Sequence, residues 1–207
     1  STTGNEPICS GNTTNISLTG TVIGTTFSWN AVSNKVLGAF SSTGSKIVQT
    51  LKTATNVQGS VDYSIVPLSN GCIGSPTLIT VVVNPVPEVF GSSKTTICSG
   101  DSTNIILSPS IVGTQFDWTV SQDGVTGASL GTGDLIQQTL VAGKTSGSAT
   151  YTITPTVGGC SGTAIKIKIN VNPKPIPAIE DGIICVTSDT GETLKSYLLD
   201  TQLSNST

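Results

Sequence analysis

The chain has 207 residues, 36% hydrophobic and only 10% charged, with a net charge of -3, no histidine, and nine basic residues that are all lysine. So thin and slightly acidic a charge offers nothing to a phosphate backbone or an anionic bilayer, which argues against nucleic acid and membrane-surface partners. Without an imidazole base, and with no apolar run of about 18 residues, neither catalysis nor membrane insertion is expected.

Thr, Ser, Asn and Gly are interleaved with Val, Ile and Leu, a strand composition rather than a disordered one. In chain order, the first strands expected are 14–19, 25–31, 46–52, 61–68 and 78–83, separated by Gly, Asn, Ser and Pro clusters. Along 78–83 the inward phase is Ile79, Val81 and Val83. Asn84-Pro85-Val86-Pro87 follows, whose alternating prolines favour an extended, stiff connector.

The same order then returns. Ile8-Cys9-Ser10-Gly11, Phe27-Ser28-Trp29 and Gln49-Thr50-Leu51 recur 89 residues later as Ile97-Cys98-Ser99-Gly100, Phe116-Asp117-Trp118 and Gln138-Thr139-Leu140. Tyr63 to Pro67, Gly71-Cys72-Ile73-Gly74 and Val83 to Pro87 recur 88 residues later, so one residue is lost between Lys52 and Val61. The second set of strands is 103–108, 115–120, 135–141, 149–156 and 165–171. In the last of these, Lys166, Lys168 and Asn170 alternate cleanly with apolar residues.

Two copies of one unit in tandem, with many short strands and no helical period inside either, predict an all-β protein. Its expected form is two immunoglobulin-like sandwiches plus the start of a third module. The modules are read as 1–84 and 85–172, and 173–207 as a second proline connector and a truncated third opening at Ile184-Cys185. A short helix is expected at 192–200. Ser1 opens without a charged segment and apolar run, and five cysteines are an odd number, so the chain reads as a piece of something longer from an oxidising compartment.

Trp29 and Trp118 fall where sandwiches commonly bury a tryptophan between sheets, and Tyr63 and Tyr151 receive the same core assignment. Gly131-Thr132-Gly133 lacks a following Gly-Lys-Ser/Thr and a helix N-terminus, so it reads as a turn rather than a phosphate loop. Asp101, Asp117, Asp123 and Asp134 could supply oxygen ligands to calcium, yet three counterparts, Asn12, Ser28 and Ser45, are not acidic. No metal, cofactor or catalytic residue is therefore expected.

The landmarks Cys-Ser-Gly, Phe-x-Trp, Tyr-x-Ile-x-Pro, Gly-Cys-x-Gly and Val-Asn-Pro-x-Pro, in that order over residues 8–177, resemble the PKD-like modules strung in tandem in very large surface proteins of gliding Bacteroidetes-type bacteria. The resemblance implies an immunoglobulin-like sandwich, export across the outer membrane by the secretion machinery those bacteria use, and a filamentous adhesin of the gliding-motility type. Asp101-Ser102-Thr103 is similar to the O-glycosylation site of such bacteria, which would place sugar on Ser102. The leading expectation is a cell-surface stalk whose partners are neighbouring modules of its own chain. Its alternatives are a module that binds surface polysaccharide or another surface protein through loops 38–44 and 127–133, and an accessory domain of a secreted enzyme.

Two disulfide schemes stand open. Counting by copy gives Cys9 with Cys72 and Cys98 with Cys160, each inside one module. A first strand running the length of the module from Pro87, however, would put Cys98 at the far end and Cys160 at the near end. That gap is about 20 Å, against the 7 Å or so that α-carbons of a disulfide tolerate. Head-to-tail stacking instead brings Cys9 to Cys160, leaves Cys72, Cys98 and Cys185 unpaired in this chain, and is slightly preferred.

Overall fold

A computed structural model of the chain describes residues 7–176 and, beyond them, the short strands Val186–Thr187 and Thr193–Leu194. The protein is all-β, and no helix forms among the described residues. In the first module one sheet runs in the order Ile8–Cys9, Thr77–Asn84, Gly59–Ser69, Thr26–Asn34, Ser42–Thr43, with Cys72–Ile73 folded back on Gly59–Ser69. The second module repeats it as Thr96–Cys98, Ile165–Asn172, Gly147–Val157, Gln115–Asp123, Gly131–Thr132, with Cys160–Ser161 folded back on Gly147–Val157. The opposing layer pairs Ile16–Ser17 with Lys46–Ile47 in the first module, and Val89–Ser92, Ile105–Pro109 and Leu135–Ile136 in the second.

Alternation sets the register. Ile79, Val81 and Val83 face inward, and opposite them on the neighbouring strand lie Tyr63, Val61 and Gly59. The same pairing in the second module sets Ile167 against Tyr151, Ile169 against Ala149 and Val171 against Gly147, with Lys166 and Lys168 outside. A one-residue slip would carry every apolar side chain to the solvent face, so the core fixes the register. Ile47, Leu51, Tyr63, Ile136, Leu140 and Tyr151 are fully buried, each worth about 1.5–3 kcal/mol over an exposed position where apolar.

Three expectations are corrected. The first strand of the second module does not run unbroken from Pro87 to Cys98. Val89–Ser92 pairs antiparallel with Ile105–Pro109 in one sheet, and Thr96–Cys98 pairs parallel with Ile165–Asn172 in the other. The polar break Ser93-Lys94-Thr95 lets it change sheets, which closes an edge of each. The strands expected at 46–52 and 135–141 are likewise interrupted: Thr14 Oγ1 and Thr103 Oγ1 accept the backbone N–H of Gln49 and Gln138, both at 2.9 Å, where a ladder bond would stand. Within the helix expected at 192–200, Thr193–Leu194 is a strand antiparallel to Val186–Thr187, a pairing that satisfies backbone groups a lone short helix leaves open. The rest of that stretch, with Ile184 and Cys185, lies outside the described residues.

Candidate functional site

The end of the first module and the start of the second are built from the repeated blocks. Val83-Asn84 closes the last strand beside Ile8-Cys9, which pair with it in parallel, and Ser10 N–H donates to Asn84 O at 2.8 Å. This sets Cys9 and Asn84 side by side at the far end of the first sandwich. At the near end of the second, the hairpin between Gly147–Val157 and Cys160–Ser161 turns through Gly158 (φ 56) and Gly159 (φ 79), a left-handed pair that glycine adopts without strain.

The two ends meet there. Cys9 and Cys160 are disulfide-bonded, with α-carbons 5.6 Å apart at a sequence separation of 151. Beside the bond, Asn84 Nδ2 donates to Gly158 O at 2.8 Å, and Gln58 Nε2 donates to Asn84 Oδ1 at 2.7 Å. Asn84 is 8% exposed, so both ends of its amide are satisfied away from water, as burial of a polar group requires. The connector then passes directly over Gly162, where a side-chain carbon would overlap the Pro87 carbonyl oxygen. Pro85 and Pro87 are buried along the way, and Val89 joins the second module's core. Glu88 N–H to Ser110 Oγ (2.8 Å) and Ser110 N–H to Glu88 O (3.0 Å) fasten the connector's exit.

Beneath each module lies a second repeated arrangement. Tyr63 Oη donates to Gln49 Oε1 at 2.8 Å, while Gln49 Nε2 and Trp29 Nε1 both donate to Phe40 O, at 2.7 and 3.1 Å. In the second module Tyr151 donates to Gln138, and Gln138 and Trp118 to Ser129 O, at 2.9, 2.9 and 3.2 Å. Burial pushes the Tyr63 hydroxyl up to about 12, and moves Tyr151 in the same direction against a lowering bond from Thr103. Trp29, Trp118, Tyr63 and Tyr151 are all buried. Because their network holds the carbonyls of loops 38–44 and 127–133 from below, those loops are anchored to the core. Gln49 and Gln138 were visible only as part of a repeated Gln-Thr-Leu, since glutamine is seldom buried.

The remaining singled-out residues lie apart. Asp101 Oδ2 accepts Cys98 N–H at 3.2 Å and closes the Cys-Ser-Gly turn. Asp117 lies opposite Thr132, and no three acidic or cysteine side chains gather to hold a metal among the described residues. Ser102 is exposed, with its hydroxyl 2.9 Å from Thr139 Oγ1 across an isolated bridge. Cys72 and Cys98 are free and exposed.

The PKD-like domain family matches residues 6–87 and again 95–175, so the chain belongs to that family. Such modules are commonly structural or adhesive, and a disulfide is typical of proteins outside the cytosol. No curated protein matches the chain. Among solved structures it is similar to fibronectin(III)-like modules of Clostridium thermocellum CbhA (15% identity, 88% of this chain and 98% of that one, TM-score 0.38). It is also similar to repeats EC1-2 of human mucin-like protocadherin (11%, 85% and 98%, TM-score 0.34) and to domains FN1-FN3 of chicken CNTN1 (8%, 82% and 69%, TM-score 0.32).

Proposed function

We propose that this pair of PKD-like modules, divided at residues 84 and 172, is a stalk segment of a secreted cell-surface adhesin filament of the gliding-motility or surface-attachment type. Its partners are then the neighbouring modules of its own chain, with the secretion machinery engaged during export and the ligand, a surface polysaccharide or protein, held elsewhere. The observation that carries this reading is the joint. A covalent bond, a buried amide and two buried prolines are concentrated where a load-bearing array would otherwise bend.

The sulfur bridge also routes force. Tension entering near residue 7 and leaving near residue 176 crosses from Cys9 to Cys160, so the residues between, which comprise most of both sandwiches, carry none of it. Single-molecule pulling between those points tests this. Under oxidising conditions the chain should release almost no length, whereas after reduction roughly 150 residues should unravel, about 500 Å at about 3.4 Å per extended residue. Equal release in both states would remove the mechanical role. Saturable binding of the isolated chain to a glycan would favour a binding module instead.

A further inference from the structure

The outward face of the second module's larger sheet carries its charges in two columns. Alternation along Ile165–Asn172 turns Lys166, Lys168 and Asn170 to solvent, and along Gln115–Asp123 it turns out Asp117, Thr119, Ser121 and Asp123. Between these strands runs Gly147–Val157, whose outward residues include Ser148, Thr150, Thr152 and Thr154. Pairing fixes the rows: Lys166, Thr152 and Thr119 lie abreast, as do Lys168, Thr150 and Ser121. Asp117 stands one row beyond Lys166, beside Thr154, and Asp123 one row beyond Lys168, beside Ser148. A positive strand and a negative strand thus flank a ridge of hydroxyls.

The fold does not require this arrangement. In the first module the same positions hold Leu78 and Thr80 in place of the lysines and Ser28 and Asn34 in place of the aspartates, on strands in the same order. The outward carboxylate of that face, Asp62, accepts the Thr80 hydroxyl at 2.6 Å. Nor do the two columns of the second module neutralise each other within the chain. Two strand spacings, about 10 Å, and one row separate each lysine from its nearer aspartate, more than the Debye length of about 8 Å in physiological salt. Each column therefore meets an approaching molecule as a separate field.

We propose that this face docks on the same face of a second copy of the chain, with the two copies aligned in parallel. Turning one sheet over onto another about an axis along Gly147–Val157 exchanges the outer columns, so the lysines of each copy lie over the aspartates of the other. That rotation preserves the rows. Lys166 then meets Asp117 and Lys168 meets Asp123, each across one row of about 7 Å, which the flexible four-carbon stem of lysine spans. The axis is a two-fold, so both pairs occur twice. Turning the sheet over about an axis across the strands would instead lay lysine on lysine and aspartate on aspartate, which is repulsive. The charge pattern thus selects one alignment of two otherwise similar packings. Exposed ion pairs are weak singly, so the contact is reversible for one module and gains by avidity wherever a stalk repeats it.

This goes beyond the stalk reading, which its failure would leave intact. Isotopically light and heavy chains are mixed, treated with a carbodiimide, which joins an amine to a carboxylate in direct contact, and mapped by mass spectrometry. Links between chains are expected from Lys166 to Asp117 and from Lys168 to Asp123, and should fall about fivefold or more in about 1 M salt, where the Debye length is about 3 Å. No links between chains at low salt, or links only through other lysines, would overturn the docking surface. Charge reversal gives a second reading, at four exposed positions that can change without touching the core. A variant with K166D and K168D, and another with D117K and D123K, should each lose self-association in sedimentation equilibrium, while an equal mixture of the two should regain it. Variants that associate as before, or a mixture that does not recover, would overturn the proposal as well.

Discussion

At the near end of the second module Cys160 is 2% exposed and the connector prolines are buried; at the same end of the first, Cys72, Gly74 and Ile73 are exposed, Ile73 by 76%. The residues of these turns are nearly the same in type and share their backbone angles, so the burial at the second module's end comes from the connector seated on it. The strongest repeats, Cys-Ser-Gly, Gly-Cys-x-Gly and Val-Asn-Pro-x-Pro, are thus mainly joint residues rather than core residues. In the second module the structural unit is therefore the sandwich together with the connector that enters it.

The largest difference between the ends should appear at the cysteines. Replacing Cys9 and Cys160 by Ala removes a cross-link over 151 residues, and should cost about 3 kcal/mol. It should also split one denaturant transition into two. Replacing Cys72 and Cys98 by Ala should leave stability within about 0.5 kcal/mol, because neither is bonded in this chain. Chemical denaturation followed by tryptophan fluorescence, with one Trp in each module, separates these outcomes. Equal losses from both pairs would show that the Cys9–Cys160 bond contributes no more than the two free thiols.

A subtler contrast isolates the connector. A carbon added at Gly74 meets Pro67 Cγ at 2.8 Å, and one added at Gly162 meets Pro155 Cγ at 2.9 Å, a shared cost inside each module. Only Gly162 has in addition the Pro87 carbonyl in its way. Gly162→Ala should therefore cost about 2 kcal/mol more than Gly74→Ala, in the range of overpacking against backbone that cannot move aside. Matching losses in urea titrations would mean that the connector yields easily and is not a tight seat.

How far all this was legible in the sequence depends on which residues speak locally. Period-two alternation at 165–171 and the recurrence of Trp29, Trp118, Tyr63 and Tyr151 announce strands and core, because side-chain direction follows directly from spacing. Cys9 with Cys160 was within reach because strand direction puts the cysteines of one module at opposite ends. The two-residue strands, such as Ser42–Thr43 and Val36–Leu37, leave no periodic trace, being too short to repeat. The change of sheet after Ser92 is invisible for another reason: it is driven by where Ile165 and Ile167 lie, which approach closest to Gly91 from a strand more than 70 residues away.

The smallest difference is expected where the modules are built alike, in the buried tyrosines. Tyr63 is raised from 10.0 to about 12 by burial, and Tyr151 is raised by the same cause. A folded-state value above the unfolded one means that the native state holds its proton more tightly. The associated stability is present in full below about pH 10 and is lost as pH climbs toward 12. Both modules should therefore weaken in the same direction as pH rises above about 10, because burial raises both hydroxyls and Gln49 and Gln138 hold them in the same way. Stability measured from pH 8 to 12 should fall for the native chain, and Tyr63→Phe or Tyr151→Phe should each remove its own module's share of the fall. A first module that lost stability well before the second would show that the two buried tyrosines are not protected alike by their cores.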